Sequence, residues 1–497
     1  MNLAVNLERA ANLFPDHIAV ISGGERTTYA QLDLWAARIA AGLASLGLKP
    51  GDLVALCAPN SVGWLAFYFG VLKLGAVAVT LSAQLSDREL ELLVSHARPR
   101  AIFCSADRAA TIGRLRGSIG LEFAIGPASE LPLNRLEQLG AAPLRAVNRD
   151  RGDTACVLYT GGTTGIPKGV ELSHENINTA INKVAYMERS TESDRAICFL
   201  PFNHVFGQMH IMNATILTGG GLVLLPRFDL NRVLAAISEH EVTKLYAVPT
   251  VYVRFLQLDD LKARLGQVRY CFSAAASMAR EVVREWRERT GLAIHESYGM
   301  TETASMVTYN HISRHVVGSV GQVVGTTEVS IRDAQGTELP QGQKGEICIR
   351  GRGVMKGYLG AAEATAEAFY EDWLRSGDVG YMDENGYLFI VDRIKDLIIT
   401  GGENVYPREV EEALFECPQV SECSVLGLPD PEYGEKVVAV CVPAPGEQIE
   451  AGELRALLKS KLSGFKVPKE FIVRTDLPKS PAGKILKQEI KKQLTEG

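Results

Sequence analysis

Two rhythms of apolar and polar positions alternate along the first half of the chain. Thr28 with Gln31 forms a capping-box pattern ahead of an amphipathic run that stops at Gly47, with Pro50-Gly51 beyond, and this predicts a helix. LVALC, ending at Cys57, reads as a strand. Val62 to Leu81 is almost wholly apolar and about as long as a membrane span. Lys73 near its middle, Gly75 behind it, the cap Asn60-Ser61 in front and the AVAVTL that follows predict instead a buried helix and then a buried strand. Ser86 with Glu89 offers a second capping box, ahead of the strand AIFC. Alternation of this kind predicts parallel sheets covered by helices on both faces.

The pattern changes after Arg350. Asn385-Gly386 separates two alternating runs in YMDENGYLFIV, which predicts a hairpin. Beyond Asp392-Arg393, the short strands VSECSVLGL and KVVAVCVP fall between helices opened by Pro407 and near Ile449. The fold class expected is therefore α/β: a large N-terminal domain of helix-covered sheets, residues 1–392, and a smaller, mobile α+β C-terminal domain, residues 393–497. No Gly/Ser linker marks the boundary. A large and a small domain joined by a short hinge suggest an active site in the cleft between them.

At ~150 residues per domain, a chain of 497 residues makes about three domain-sized units, and 46% apolar residues can build several cores. That excludes a disordered chain and a disulfide-stapled miniprotein. A net charge of −6 leaves no basic footprint for nucleic acid. Nine scattered cysteines without a CxxC pair read as buried thiols in a reducing compartment. The N-terminal MNLAVNLERAANLF carries Glu8 and Arg9 and no apolar run, so neither a signal peptide nor a membrane span is expected, and the expected location is cytoplasmic.

The densest chemistry lies in Tyr159-Thr-Gly-Gly-Thr-Thr-Gly-Ile-Pro-Lys168-Gly169, directly after the strand-like TACVLY. Glycines let backbone N–H groups close around an anion; Thr160, Thr163 and Thr164 add hydroxyls, and Lys168 adds a charge. The set suits a polyphosphate. It is not the GxxxxGK[ST] loop, because Pro167 precedes Lys168. A carboxylate beside hydroxyls, as at Glu302 in GMTET, can hold Mg²⁺ against phosphates, although a lone Glu is usually only a solvated charge. Asp378 in RSGDVG can accept from two hydroxyls at once, although an Asp there is most often a turn residue.

YTGGTTGIPKG resembles the phosphate loop of the adenylate-forming superfamily, which includes acyl-CoA synthetases, peptide-synthetase adenylation domains and luciferases. The family's other landmarks follow in order: YGMTET from Tyr298, GEICIRG from Gly345, RSGD ending at Asp378, DRIKD from Asp392, GGENVYPRE from Gly401 and PKSPAGK ending at Lys484. The resemblance runs from about Thr27 to Leu494 and is nearest to acid–CoA ligases of the fatty-acid or aryl-acid type. It implies that Thr160, Gly161, Gly162, Thr163, Thr164, Gly165 and Lys168 cradle the phosphates of ATP, with Thr163 among the catalytic groups. By the same resemblance Tyr298 stacks on the adenine, Thr301 contacts phosphate, Glu302 holds Mg²⁺, and Asp378 and Arg393 hold the ribose. Lys484 matches the catalytic lysine, which would draw the acid's carboxylate onto the α-phosphate. Lys395 matches the hinge about which the small domain turns between steps, and Gly401 and Gly402 would then line the tunnel for CoA.

For the acyl pocket the resemblance points to His204 beside the acid's carboxylate and to Val251, Ala274, Ala275, Ser297, Gly299 and Met306. His204 and His210 form an H-x₅-H pair with no carboxylate or cysteine nearby in sequence to complete a metal site. Amino-acid-activating members carry an aspartate near the His204 position, and malonate-activating members an arginine where this chain has Ser297. Both absences favour an uncharged fatty or aryl monocarboxylic acid, since a buried second carboxylate without a cation is costly. The activity expected is an acid–CoA ligase that forms acyl-AMP and pyrophosphate, then acyl-CoA and AMP. Loading of a carrier protein and a malonate-type dicarboxylate ligase stand as alternatives, and a homodimer is left open.

Overall fold

The computed structural model describes residues 1–116, 120–160, 167–276, 278–480 and 483–495. Two seven-stranded sheets make the body of the large domain. The first runs Ile294–Glu296, Tyr270–Ser273, Lys244–Ala247, Arg195–Cys198, Gly221–Leu224, Ile18–Ser22, Glu25–Thr28, and all its pairs are parallel except the terminal hairpin. The second runs Gly357–Tyr358, Lys168–Ser173, Thr154–Thr160, Val77–Thr80, Leu53–Cys57, Ala101–Cys104, Phe123–Ile125, with antiparallel pairs only at the Lys168–Ser173 strand. The main core fills the space between these sheets, with the helices Tyr29–Ser45, Val62–Leu74 and His174–Met187 inside it. This is the parallel, helix-covered arrangement that the apolar pattern predicts.

The capping boxes at Thr28/Gln31 and Ser86/Glu89 both form. The apolar stretch after Ser61 is the helix Val62–Leu74 followed by the strand Val77–Thr80. Lys73 is buried in it, its Nζ 2.5 Å from Glu8 Oε1 and 2.9 Å from Asp33 Oδ1, so two carboxylates flank the ammonium the core encloses. No helix among the described residues is long and apolar enough to cross a membrane. All nine cysteines are free and buried.

A third, antiparallel sheet contains Glu328–Arg332, Gly345–Arg350, Trp373–Met382 and Phe369–Tyr370, with Leu388–Arg393 also paired to Trp373–Met382. The hairpin at Asn385-Gly386 joins these last two strands, and Gly386 takes φ 76°. The small C-terminal domain is α+β. Its sheet runs Glu403–Val405, Ile398–Thr400, Gly434–Pro443, Val420–Asp430, with Glu470–Val473 parallel to Gly434–Pro443. Helices Pro407–Phe415 and Ala451–Lys461 cover one face and Lys487–Thr495 the other. The two strands expected to be short are instead 11 and 10 residues long. Asp430 explains the extension: its Oδ1 accepts from the N–H groups of Glu432 and Tyr433, so the ribbon stays paired to a tight turn.

Candidate active site

The strands Thr154–Thr160 and Lys168–Ser173 are paired to the end, Thr160 opposite Lys168, and so hold the base of the phosphate loop. Gly161, Gly162, Thr163, Thr164 and Gly165 lie outside the described residues. Lys168 Nζ stands 4.7 Å from the centroid of the Tyr358 ring, a cation–π contact. Tyr358 lies on the strand alongside and donates its hydroxyl to Glu302 Oε1 at 3.1 Å. Glu302, in the turn Thr301–Thr303, is only 8% exposed, and burial pushes its carboxyl up. A carboxylate among threonine hydroxyls is the hard oxygen donor set that Mg²⁺ takes together with substrate phosphates. Among the described residues no group of three or more His, Cys, Asp or Glu side chains could hold a metal by itself.

A second cluster forms opposite. Asp378 and Arg393 face each other in the register of the third sheet, and Arg393 Nε lies 3.4 Å from Asp378 Oδ1. Tyr298 donates its hydroxyl to the other oxygen, Oδ2, at 2.6 Å, and burial followed by this anion pushes the phenol far up. Asp378 is thus held through both of its carboxylate oxygens.

The loop bearing Lys484 docks against the large domain. Gly483 takes φ +82°, and a Cβ there would stand 2.8 Å from Val248 Cγ2, so glycine permits the close approach. Thr250 Oγ1 donates to Gly483 O at 3.5 Å, and Ser480 Oγ accepts from Lys484 N at 3.2 Å. Burial, then Arg393 and Lys395 nearby, pull the Lys484 ammonium down to about 8, against Asp378 and Asp396. Burial and then Lys484 depress His204 to about 4, which leaves a neutral imidazole facing the lysine. Lys395, in the turn Ile394–Asp396, is lowered by burial and by Arg393.

The expected acyl-pocket residues lie on a short hairpin, on one helix and after one strand of the first sheet. Gly299–Met300 pairs with Ser305–Met306, Gly299 opposite Met306. A Cβ at Gly299 would fall 1.7 Å from Ser305 O. Ser297 precedes this hairpin, its hydroxyl on Tyr298 O at 3.4 Å. Val251 is buried in the helix Pro249–Leu256, beside the Thr250 that touches the lysine loop. Ala274 and Ala275 follow the strand Tyr270–Ser273, Ala275 with φ 71°. Gly401 and Gly402 are not brought to this cleft: they stand exposed at a hairpin tip, with Gly401 N donating to Tyr433 O at 2.8 Å. Sequence reasoning missed Tyr358, and it missed the carboxylate that pairs with His210, Glu188, whose Oε1 is 2.7 Å from Nε2. No spacing signals either contact.

The AMP-binding enzyme model matches residues 7–359, and the AMP-binding enzyme C-terminal domain matches residues 409–484, so Lys484 closes the second match. The chain belongs to the AMP-binding enzyme family. A feruloyl-CoA synthase of an Amycolatopsis species is 36% identical, over 98% of this chain and 97% of the relative. A sulfoacetate–CoA ligase of Cupriavidus necator is 33% identical, over 97% of this chain and 96% of the relative. The ATP-bound structure of MatB from Rhodopseudomonas palustris superposes with a TM-score of 0.93 at 33% identity, covering 100% of this chain and 99% of that one. This AMP-binding enzyme is an acid–thiol ligase that uses ATP to form an acyl adenylate and an acyl-CoA.

Proposed function

We propose that the ligase activates a small carboxylic acid bearing a second oxygen-containing group and passes it to CoA. The observation that carries the catalytic reading is the docking of the Lys484 loop against the large domain, with Gly483 O on Thr250 Oγ1 and Gly483 close against Val248, while Arg393 pairs with Asp378. In the first step an oxygen of the carboxylate attacks the α-phosphorus, the bond to the bridging oxygen breaks, and pyrophosphate leaves. Lys484 lowers the repulsion between the two anions, and the closed cleft supplies most of the rest by proximity. Asp378, Arg393 and Tyr298 hold the nucleoside, while Lys168 and the loop from Thr160 to Gly165 hold the phosphates. Mg²⁺ would sit at Glu302, where it neutralises phosphate charge. In the second step the CoA sulfur attacks the acyl carbon and AMP leaves. The boundary at residues 392/393, with Lys395 as pivot, lets the small domain withdraw Lys484 and bring in Gly401 and Gly402.

On the acid, the comparisons support the dicarboxylate alternative better than the uncharged-tail expectation. The sulfoacetate of one relative's name bears a second anion, and the feruloyl group of another a hydroxyl. Ser297 in place of arginine removes one way of meeting such a group and does not exclude others. Mass spectrometry of reactions with ATP, Mg²⁺, CoA and a panel of alkyl, aryl, hydroxylated and dicarboxylic acids tests the proposal. Acyl-CoA formed in step with AMP is expected. Acyl adenylate without thioester would move the acceptor from CoA to a carrier protein.

A further inference from the structure

A surface cleft of about 640 Å³ runs along the helix His174–Met187, and neither chemical step uses it. The helix lines it with Glu175, Asn178, Thr179, Asn182, Lys183 and Tyr186. These positions recur every three or four residues, so the cleft follows one helical face for about 16 Å at a rise of 1.5 Å per residue. Two arginines mark its first end. Arg151 O accepts from Glu175 N at 3.0 Å, and the Arg352 guanidinium lies 3.8 Å from Glu175 Oε1. Arg151 forms no ion pair among the described residues. The other end holds Met187 and the ring of Tyr186, which is 79% exposed.

The walls are held in place by the protein itself. Asn176 Nδ2, on the same helix, donates to Arg352 O and Val354 O at 2.8 Å each. Lys183 is buried, and its Nζ donates to Met306 O at 2.6 Å and to Thr327 Oγ1 at 3.0 Å. Gly325, on the facing wall, takes φ +68°, and a Cβ there would stand 2.9 Å from Lys183 Cδ, so glycine lets that wall close on the lysine stem. A cleft fixed in this way loses little conformational entropy when it is filled.

Along the helix the lining thus changes from guanidinium groups, through amides and a hydroxyl, to an aromatic ring. A long acyl chain would lay its apolar middle on Thr179 and Asn182. A nucleotide matches all three zones: a guanidinium fork fits phosphate oxygens, amides and hydroxyls fit a ribose, and an aromatic ring stacks on a base. We propose that this cleft is a second nucleotide site, which binds a nucleoside diphosphate with its phosphates at Arg151 and Arg352 and its base against Tyr186. The inference goes beyond the ligase reading and does not depend on it. Glu175 is the one carboxylate among the six helix residues that line the cleft, and it opposes the phosphates.

The test is equilibrium dialysis of the full chain against ADP in EDTA, without an acid, so that no turnover occurs. The intact protein should bind two ADP, one of which is lost in Asp378→Ala. In that background Arg151→Ala, Arg352→Ala and Tyr186→Ala should each weaken the remaining site about ten-fold, the loss expected for a charge-assisted hydrogen bond or a stacked base. Glu175→Gln should tighten it about two- to five-fold by removing a like charge. On the intact chain, Arg151→Ala with Arg352→Ala should lower the count from two to one, which keeps the test decisive if Asp378→Ala does not fold. Arg151, Arg352 and Tyr186 are exposed, so their truncation leaves the core unchanged. A single ADP that Asp378→Ala abolishes, or a second one that the cleft variants leave unchanged, overturns the proposal and leaves the ligase reading intact. Pyrophosphate that competes for the second site as well as ADP does would also overturn it, because the nucleoside would then be unread.

Discussion

Lys484 brings an ammonium into a space already occupied by Arg393 and Lys395, and its pKa of about 8 follows from burial and from those neighbours. On the proposed mechanism adenylation needs this cation, which is present below that pH and lost above it. The kcat/KM for pyrophosphate exchange without CoA should therefore fall as pH rises through about 8; a profile flat through that range would remove Lys484 from the charge-neutralising role. Tyr358→Phe keeps the ring under Lys168 and removes the hydroxyl on Glu302. A hydrogen bond to a charged group is worth ~1.5–3 kcal/mol, so at least about ten-fold weaker equilibrium binding of MgATP is expected, with much less change for ATP in EDTA. Equal losses with and without Mg²⁺ would show that the hydroxyl does not serve the metal site. Tyr298, Asp378, Arg393 and Lys484 were legible because each stands inside a motif that reads along the chain. Tyr358 and Ser305 were not, because their partners lie 56 and 95 residues away and only packing unites them.

Local signals carried the elements well where the side chains act on their own backbone. The capping boxes at Thr28 and Ser86 start helices where the pattern places them, since the bonds they make are local. The π-helix Phe206–Asn213 had no such signal: Asn213 Nδ2 donates to Gln208 O at 2.9 Å within the wide turn, whose residues are all buried. Lys73 served the sequence reading only as an objection to a membrane span, and the structure gives its purpose. It ties the N-terminal helix Val5–Leu13, through Glu8, to the helix Tyr29–Ser45, through Asp33. Lys73→Ala leaves both carboxylates partly buried and facing one another. It should lower stability by about 3 kcal/mol, at the low end for a broken buried pair, in urea unfolding. A change below about 0.5 kcal/mol, ordinary for a surface site, would show that the pairing does not hold these helices.

At the scale of the whole molecule, the docked small domain covers Glu296, whose Oε2 is buried without a hydrogen-bond partner. Burial raises this carboxyl to about 8; Arg408 and Arg280 oppose the rise and Glu412 adds to it. The docking contact includes Arg280 N, which donates to Glu412 Oε2 at 3.4 Å. A carboxyl raised on docking stabilises the docked state below its free value, 4.5, and loses that contribution as pH rises to about 8. Small-angle scattering should therefore report more undocked molecules at the top of that window, and Glu296→Gln should flatten the change. A pH response unaltered in Glu296→Gln would exclude this residue as its source. The proposed turning of the small domain also predicts a pivot. Lys395→Pro fixes φ near the value of the 3₁₀ turn Ile394–Asp396 and should spare pyrophosphate exchange while slowing thioester formation. Equal loss of both steps would place the pivot elsewhere.

The division of labour within one cleft is tested most directly by Lys484→Ala in separate half-reactions. Pyrophosphate exchange with the acid and ATP should fall by at least about 100-fold, as expected when a transition-state cation is removed. Thioester formation from synthetic acyl adenylate and CoA should continue near the rate of the intact enzyme, because on the proposed rotation Lys484 has left the cleft by then. Loss of both half-reactions together, or adenylation that survives the substitution, would contradict it.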